Sequence, residues 1–217
     1  MNGRKEGPAV TADGVIFDLD GTLWDSTDAC AIAYNEAIRS MEDPAPAVTA
    51  DDLKKLFGLP NEVIQGKVFQ GVPPEEQSRL MDRALEAEFR CLRAFPPVPY
   101  DGVRETLEAL RPLPLFIVSN CGSGYIELFL ELTGLGEFFT AHLCPGDTGR
   151  LKADNIRTVA DRYGLTAPVY VGDTQGDGDA ARAAGVPLIF AAYGFGQVSG
   201  AAARIARIRD LPGLLGR

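Results

Sequence analysis

Histidine is almost missing from this chain: His142 is the single one in 217 residues, set in a short apolar run from Ala141 to Cys144. It reads as structural, with nothing nearby to give it a base role. Cysteine is sparse too. Cys30, Cys91, Cys121 and Cys144 lack the paired spacing of a zinc site or a dithiol redox motif, so reduced, partly buried thiols are expected. Cys121 follows Ser119 and Asn120, but no basic residue adjoins it to activate a thiolate, and a small filler in a turn is its expected role. No apolar run reaches the ~20 residues of a membrane span, and Met1 to Ala12 lacks the apolar core of a signal peptide. The expectation is a soluble, cytoplasmic protein without a membrane partner. Basic stripes are missing as well, and a net charge of -9 argues against nucleic acid. No Gly-x-x-x-x-Gly-Lys-Ser/Thr loop exists, which argues against a nucleoside-triphosphate engine.

What the chain does have is concentrated at the ends of apolar runs. Val15-Ile16-Phe17 leads into Asp18-Leu19-Asp20-Gly21-Thr22, two carboxylates one residue apart and then a glycine. Side chains alternate along a strand, so two such acids leave its end side by side, and Gly21 lets the backbone turn beneath them. Acids that close make a good magnesium and phosphoryl-transfer site. A second run, Leu115 to Val118, ends in Ser119-Asn120; Lys152 follows a Gly-containing turn; a third, Val169 to Val171, ends in Gly172-Asp173-Thr174, with Asp177 four residues beyond Asp173. Open parallel sheets place ligands outside the carboxyl ends of their strands, so these groups are expected to converge on one edge.

Those four pieces, in that order, resemble the motifs of the haloacid dehalogenase-like superfamily, chiefly its phosphatases and phosphomutases. Tyr100-Asp101-Gly102-Val103 and Ala180-Ala181-Arg182-Ala183-Ala184-Gly185-Val186 also resemble the subgroup containing phosphoglycolate phosphatases and β-phosphoglucomutases. The resemblance implies that Asp18 attacks phosphorus to form an aspartyl-phosphate and that Asp20 serves as general acid, then base. It implies Mg²⁺ held by the carboxylates of Asp18 and Asp173 and the backbone carbonyl of Asp20. Gly21, Thr22, Ser119, Asn120 and Lys152 are then the phosphate-binding group, and Asp177 orients Lys152 or a metal-bound water. The implied partner is a small phosphorylated metabolite, phosphoglycolate-like or a sugar phosphate, acted on by a monomer or homodimer. The implied activity is hydrolysis. A phosphomutase using the same Asp18 is the alternative, and a non-catalytic phosphate-binding protein the remote one.

Spacing adds an organisation. A strand-helix-strand crossover needs about a dozen residues, yet almost a hundred separate Asp20 from Ser119. The excess reads as an inserted helical unit with helices near Ser26 to Met41, Asp51 to Phe57, Asn61 to Phe69 and Pro74 to Phe95, Ser26 or Thr27 capping the first. The expected fold is α/β: a Rossmann-like parallel sheet with helices on both faces over 13–25 and 97–217, an α-helical cap over 26–96, and a flexible tail over 1–12. By position in that subgroup, the cap turn Gly58-Leu59-Pro60-Asn61, with Lys54, Lys55 and Lys67 nearby, is expected to face the substrate. Gly176-x-Gly178-x-x-Ala181 mimics a dinucleotide fingerprint, but Asp173, Asp177 and Asp179 would repel a pyrophosphate. The same three acids also lack the spacing of a calcium loop.

Overall fold

The apolar runs at 14–17, 115–118, 168–172 and 188–191 form strands buried at every position, as expected of a parallel sheet covered on both faces. The computed structural model describes residues 10–217. In chain order the elements are β1 (Gly14–Phe17), α1 (Thr27–Arg39), α2 (Ala50–Lys54), α3 (Asn61–Val68), α4 (Pro74–Ala94), α5 (Val103–Ala109), β2 (Leu115–Val118) and α6 (Tyr125–Thr133). There follow β3 (Ala141–Leu143), α7 (Pro145–Thr148), α8 (Lys152–Arg162), β4 (Pro168–Gly172), α9 (Gln175–Ala184), β5 (Leu188–Ala191), β6 (Ala203–Ile205) and α10 (Leu211–Leu214). The strands pair in parallel in the order β3-β2-β1-β4-β5-β6. The chain builds outward from β1 to one side and then returns to β4 on the other, so β1 and β4 flank the switch point, where α/β sheets open a crevice.

Alternation along the strands divides the core. Val15 and Phe17, with Leu115, Ile117, Val169 and Val171, face one side and pack with Leu107, Phe129 and Leu211. Ile16, Phe116, Val118 and Tyr170 face the other, against Ile156, Val159 and Ala181. A third cluster, including Tyr34, Ile38, Leu53, Ile64, Leu80 and Ala84, belongs to α1–α4. It is not sealed from the sheet: Ala29, Ala33, Ala87, Cys91 and Leu92, on the same long helices, pack with the sheet-side core around Trp24. α4 carries Pro74 at its start, Glu75 and Glu76 in its first turn and Arg93 in its last, which suits both the helix geometry and its dipole.

Two expectations need correction here. Val10 donates its N–H to Leu214 O at 2.9 Å, and Val10 and Ala12 pack on the core. The tail of 1–12 is therefore anchored from residue 10; the rest of that expectation lies outside the described residues. Ser26 sits at the N-cap position of α1 but makes no capping bond with its side chain; Asp25 Oδ1 instead accepts from the Thr27 backbone N–H at 3.0 Å. The Ser26 hydroxyl is used elsewhere, as described below.

The two chain crossings between the helical unit and the sheet lie side by side. Trp24 bridges both Asp20 and Pro99, Gly21 N–H donates to Trp24 O, and Tyr100 N–H donates to Leu23 O. Trp24 is fully buried, its ring edge-on to Phe129 and Tyr125. The backbone just past Asp18 and Asp20 is thereby fixed against both parts of the chain.

Candidate active site

Asp18 follows the last residue of β1, Ser119 that of β2 and Asp173 that of β4, and all three side chains are buried. Neighbouring strands bring these positions together. Lys152, the first residue of α8, is also buried and donates to Asp18 Oδ1 at 2.9 Å and Asp177 Oδ1 at 2.6 Å. Carboxylate oxygens of Asp18, Asp173 and Asp177 lie within 4.8 Å of one another.

Asp177 does two jobs. Its Oδ2 completes a capping box with Thr174 at the start of α9, accepting from the Thr174 N–H at 2.9 Å and hydroxyl at 2.7 Å, while Oδ1 takes the lysine. Burial would raise its carboxyl, but Lys152 and Thr174 outweigh that and hold it below the usual carboxylate range. The opposite holds for its neighbours. Burial, then the charge of Asp177, pushes Asp18 up to about 6 despite Lys152. Burial, then Asp177 and Asp18, pushes Asp173 up to about 8. Lys152 keeps its charge because the two acids overcome its own desolvation.

Asp20, which lines the same cavity as Asp18, has hydrogen-bond partners of its own. Ser26 donates to Asp20 Oδ1 at 2.5 Å, and the Tyr125 hydroxyl lies 3.0 Å from the same oxygen and 2.8 Å from Ser26 Oγ. Burial raises Asp20 to about 7, with Ser26 pulling the other way and Asp18 adding to the rise.

Close backbone approaches shape this edge. A Cβ on Gly21, which has a φ of +79°, would lie 2.2 Å from Asp173 Oδ2, so glycine is required on both conformational and steric grounds. From the loop after β5, Phe195 N–H donates to Asp173 Oδ2 at 2.7 Å.

Comparison with known proteins identifies the family. A family model described as haloacid dehalogenase-like hydrolase matches residues 15–191. The chain belongs to that family. Among curated relatives, the phosphoglycolate phosphatases of Shigella boydii and of Escherichia coli K12 are each 29% identical, over 212 and 206 residues, covering 84% of this chain and 82% of their own. Among solved structures, a predicted phosphoglycolate phosphatase from Haemophilus somnus superposes with a TM-score of 0.83 at 21% identity, covering 93% of this chain and 97% of that one. A haloacid dehalogenase-superfamily hydrolase from Geobacter sulfurreducens gives 0.71 at 22% identity, covering 98% and 99%. These likenesses confirm the α/β fold.

Several residues of this haloacid dehalogenase-like hydrolase take parts that differ from the sequence expectation. Thr22, expected at the phosphate, is fully buried and donates to Asp173 Oδ1 at 3.3 Å. Asn120, also expected there, lines the cavity beside Ser119 and adds a second part, donating its side-chain amide to Gly58 O at 2.9 Å and latching the cap turn to the end of β2. Of that turn, Gly58 and Asn61 line the cavity above Asp18 and Asp20, whereas Leu59 packs into the helical core and Pro60 lines a neighbouring groove. The nearby lysines do not reach it: Lys54 pairs with Asp25 at 3.2 Å, and Lys55 and Lys67 line a separate groove. Cys121 lines the cavity, its thiol pushed up by hydrogen bonding with the Cys144 thiol and by burial, so it stays protonated.

Sequence reasoning missed Tyr125 and Glu88 altogether, read Cys30 only as a reduced, partly buried thiol, and gave Ser26 a different part. Only an acid at a core position of α4, Glu88 between Ala84, Ala87 and Cys91, was a signal that could have been found.

No metal is present in the structure, but the residues fit one. Lys152 pairs with two of the three buried carboxylates, Asp18 and Asp177, which leaves negative charge uncompensated, and an all-oxygen donor set suits Mg²⁺. Asp177 is occupied by Lys152 and the helix cap, leaving Asp18 and Asp173 as the available ligands.

Proposed function

We propose that this enzyme, a phosphatase of the haloacid dehalogenase-like family, hydrolyses a small-molecule phosphomonoester through an aspartyl-phosphate on Asp18, with Mg²⁺ as cofactor. One observation carries the reading: Asp18 lies at the sheet's switch point, ion-paired to buried Lys152, with the Asp173 carboxylate within 4.8 Å.

A bound divalent cation, held by Asp18, Asp173 and the backbone carbonyl of Asp20, supplies positive charge against the phosphoryl oxygens and the two acids. The chain's own residues account for the remaining chemistry. An Asp18 oxygen attacks phosphorus while the ester P–O bond breaks, and Asp20 passes its proton to the departing alkoxide. A carboxyl raised to about 7 is well matched to that task near neutral pH. Ser26 and Tyr125 both engage Oδ1 of Asp20, which leaves Oδ2 as the oxygen that carries the proton. Asp20, now a base, then takes a proton from the water that attacks the aspartyl-phosphate. Inorganic phosphate leaves and Asp18 is regenerated. Lys152 holds Asp18 in place, and the Ser119 hydroxyl on the cavity wall is available to a phosphoryl oxygen.

The test is phosphate release from a panel of small phosphomonoesters, including phosphoglycolate and hexose 1-phosphates with isomer analysis, with and without EDTA. Release is expected to require Mg²⁺ and to fall by about a thousandfold or more in Asp18→Asn. Undiminished turnover by that variant would refute the nucleophile assignment, and isomer formation without phosphate release would replace hydrolysis by mutase activity.

A further inference from the structure

Glu88 is a carboxylate the chemistry above does not use. It lies on α4, is only 5% exposed, and lines the same cavity as Asp18 and Asp20, on the wall formed by the helical unit. Its one hydrogen bond is from Cys30 Sγ to Oε1, at 2.9 Å. Oε2 has no hydrogen-bond partner among the described residues, and no cation among them pairs with Glu88. Burial is the main influence on the group, raising it to about 7, and no positive charge pulls it back.

A buried acid without a counter-charge is costly unless a ligand completes it. The rest of the wall makes the same point. Tyr34, Asn61 and the apolar Phe57, Ile64 and Leu85 accompany Glu88, and no Lys, Arg or His among the described residues lines the cavity. Lys152 is taken by Asp18 and Asp177, and the cap lysines lie elsewhere. A leaving group entering from the phosphoryl end thus meets a hydrogen-bond acceptor and no cation.

Resting on the phosphatase reading of this site, we propose that Glu88 selects the substrate: the alcohol half of the ester carries a hydroxyl or ammonium that donates to Glu88, and an alcohol half ending in a carboxylate is rejected. The second anion of such an ester would face Glu88 with no cation on the cavity wall to neutralise it. Like charges brought together in a desolvated site discriminate strongly, as does a buried acceptor left without its donor.

Three two-carbon esters of similar size separate the cases: 2-hydroxyethyl phosphate, 2-aminoethyl phosphate and 2-phosphoglycolate, assayed at pH 8 with Mg²⁺ beside an aryl phosphate. The parent enzyme is expected to favour at least one donor-bearing ester over phosphoglycolate by about tenfold or more in kcat/KM, and Glu88→Gln to narrow that ratio by about tenfold. Ratios within one preparation are insensitive to its folded fraction, and the parent's own ratio decides the point if the variant fails to fold. Equal or preferred turnover of phosphoglycolate by the parent overturns the inference while leaving the phosphatase reading intact. An unchanged ratio in Glu88→Gln overturns the role of Glu88. Silence on every ester, the aryl phosphate included, overturns both.

Discussion

Replacing Glu88 by Gln should change how stability depends on pH, and the sign follows from its surroundings. Burial raises this carboxyl from 4.5 to about 7; Cys30 opposes the rise and the charge of Asp20 adds to it. The folded protein therefore holds the Glu88 proton more tightly than the unfolded chain does. Between those two values the folded state binds more protons, so stability falls as pH rises through the window. The penalty is absent below the unfolded value and complete above the folded one. At about 1.4 kcal/mol per pH unit its ceiling is about 3 kcal/mol, and less than 1 kcal/mol of it has developed by pH 5. Glu88 is 5% exposed, so solvent screening does little to reduce this. Glutamine keeps an acceptor for Cys30 and removes the charge. Urea unfolding of parent and variant in EDTA, at pH 5 and pH 8, should show the variant gaining on the parent by about 2–3 kcal/mol between the two conditions. Asp20 and the other acids titrate in both proteins and largely cancel in the difference. A constant gap across the window, or one that moves in the parent's favour, would refute the claim that Glu88 is held uncompensated.

Two further outcomes test the frame of the site. Lys152→Met leaves Asp18 and Asp177 buried without their shared cation, and should destabilise the fold by about 3–5 kcal/mol in urea titrations; a loss below 1 kcal/mol would mean that the lysine is not the main counter-charge. Gly194→Ala would place a Cβ 2.3 Å from Gly21 O and 2.4 Å from Asp173 Cβ, a clash with backbone on one side and a candidate metal ligand on the other. It should cost about 1–3 kcal/mol and weaken Mg²⁺ binding by calorimetry, and unaltered binding would show that the loop after β5 does not set the position of Asp173.

The parts of this enzyme legible in the chain are those governed by neighbours in sequence. Phe17-Asp18, Val118-Ser119 and Gly172-Asp173 each mark an apolar run giving way to a polar group, and a parallel sheet puts such ends on one edge. Helical spacing and Pro74 announced α4 to within a residue at either end. The hundred-residue interval before Ser119 required extra helices for the same reason. Ser26 shows the limit of that logic, since its position is that of an N-cap while its hydroxyl serves Asp20.

What belongs to the chain alone is therefore the order of strands and helices and the acids at strand ends, because strand alternation and turn geometry act over a few residues. Which side chains complete the site was decided by packing: α4 crosses α1 so that Glu88 reaches Cys30, fifty-eight positions away, and α6 brings Tyr125 to an acid 105 positions distant. The same packing turned Lys54, Lys55 and Lys67 away from the cavity. No spacing in the sequence encodes those meetings, since they depend on how whole helices seat against one another and on which of their faces the core takes.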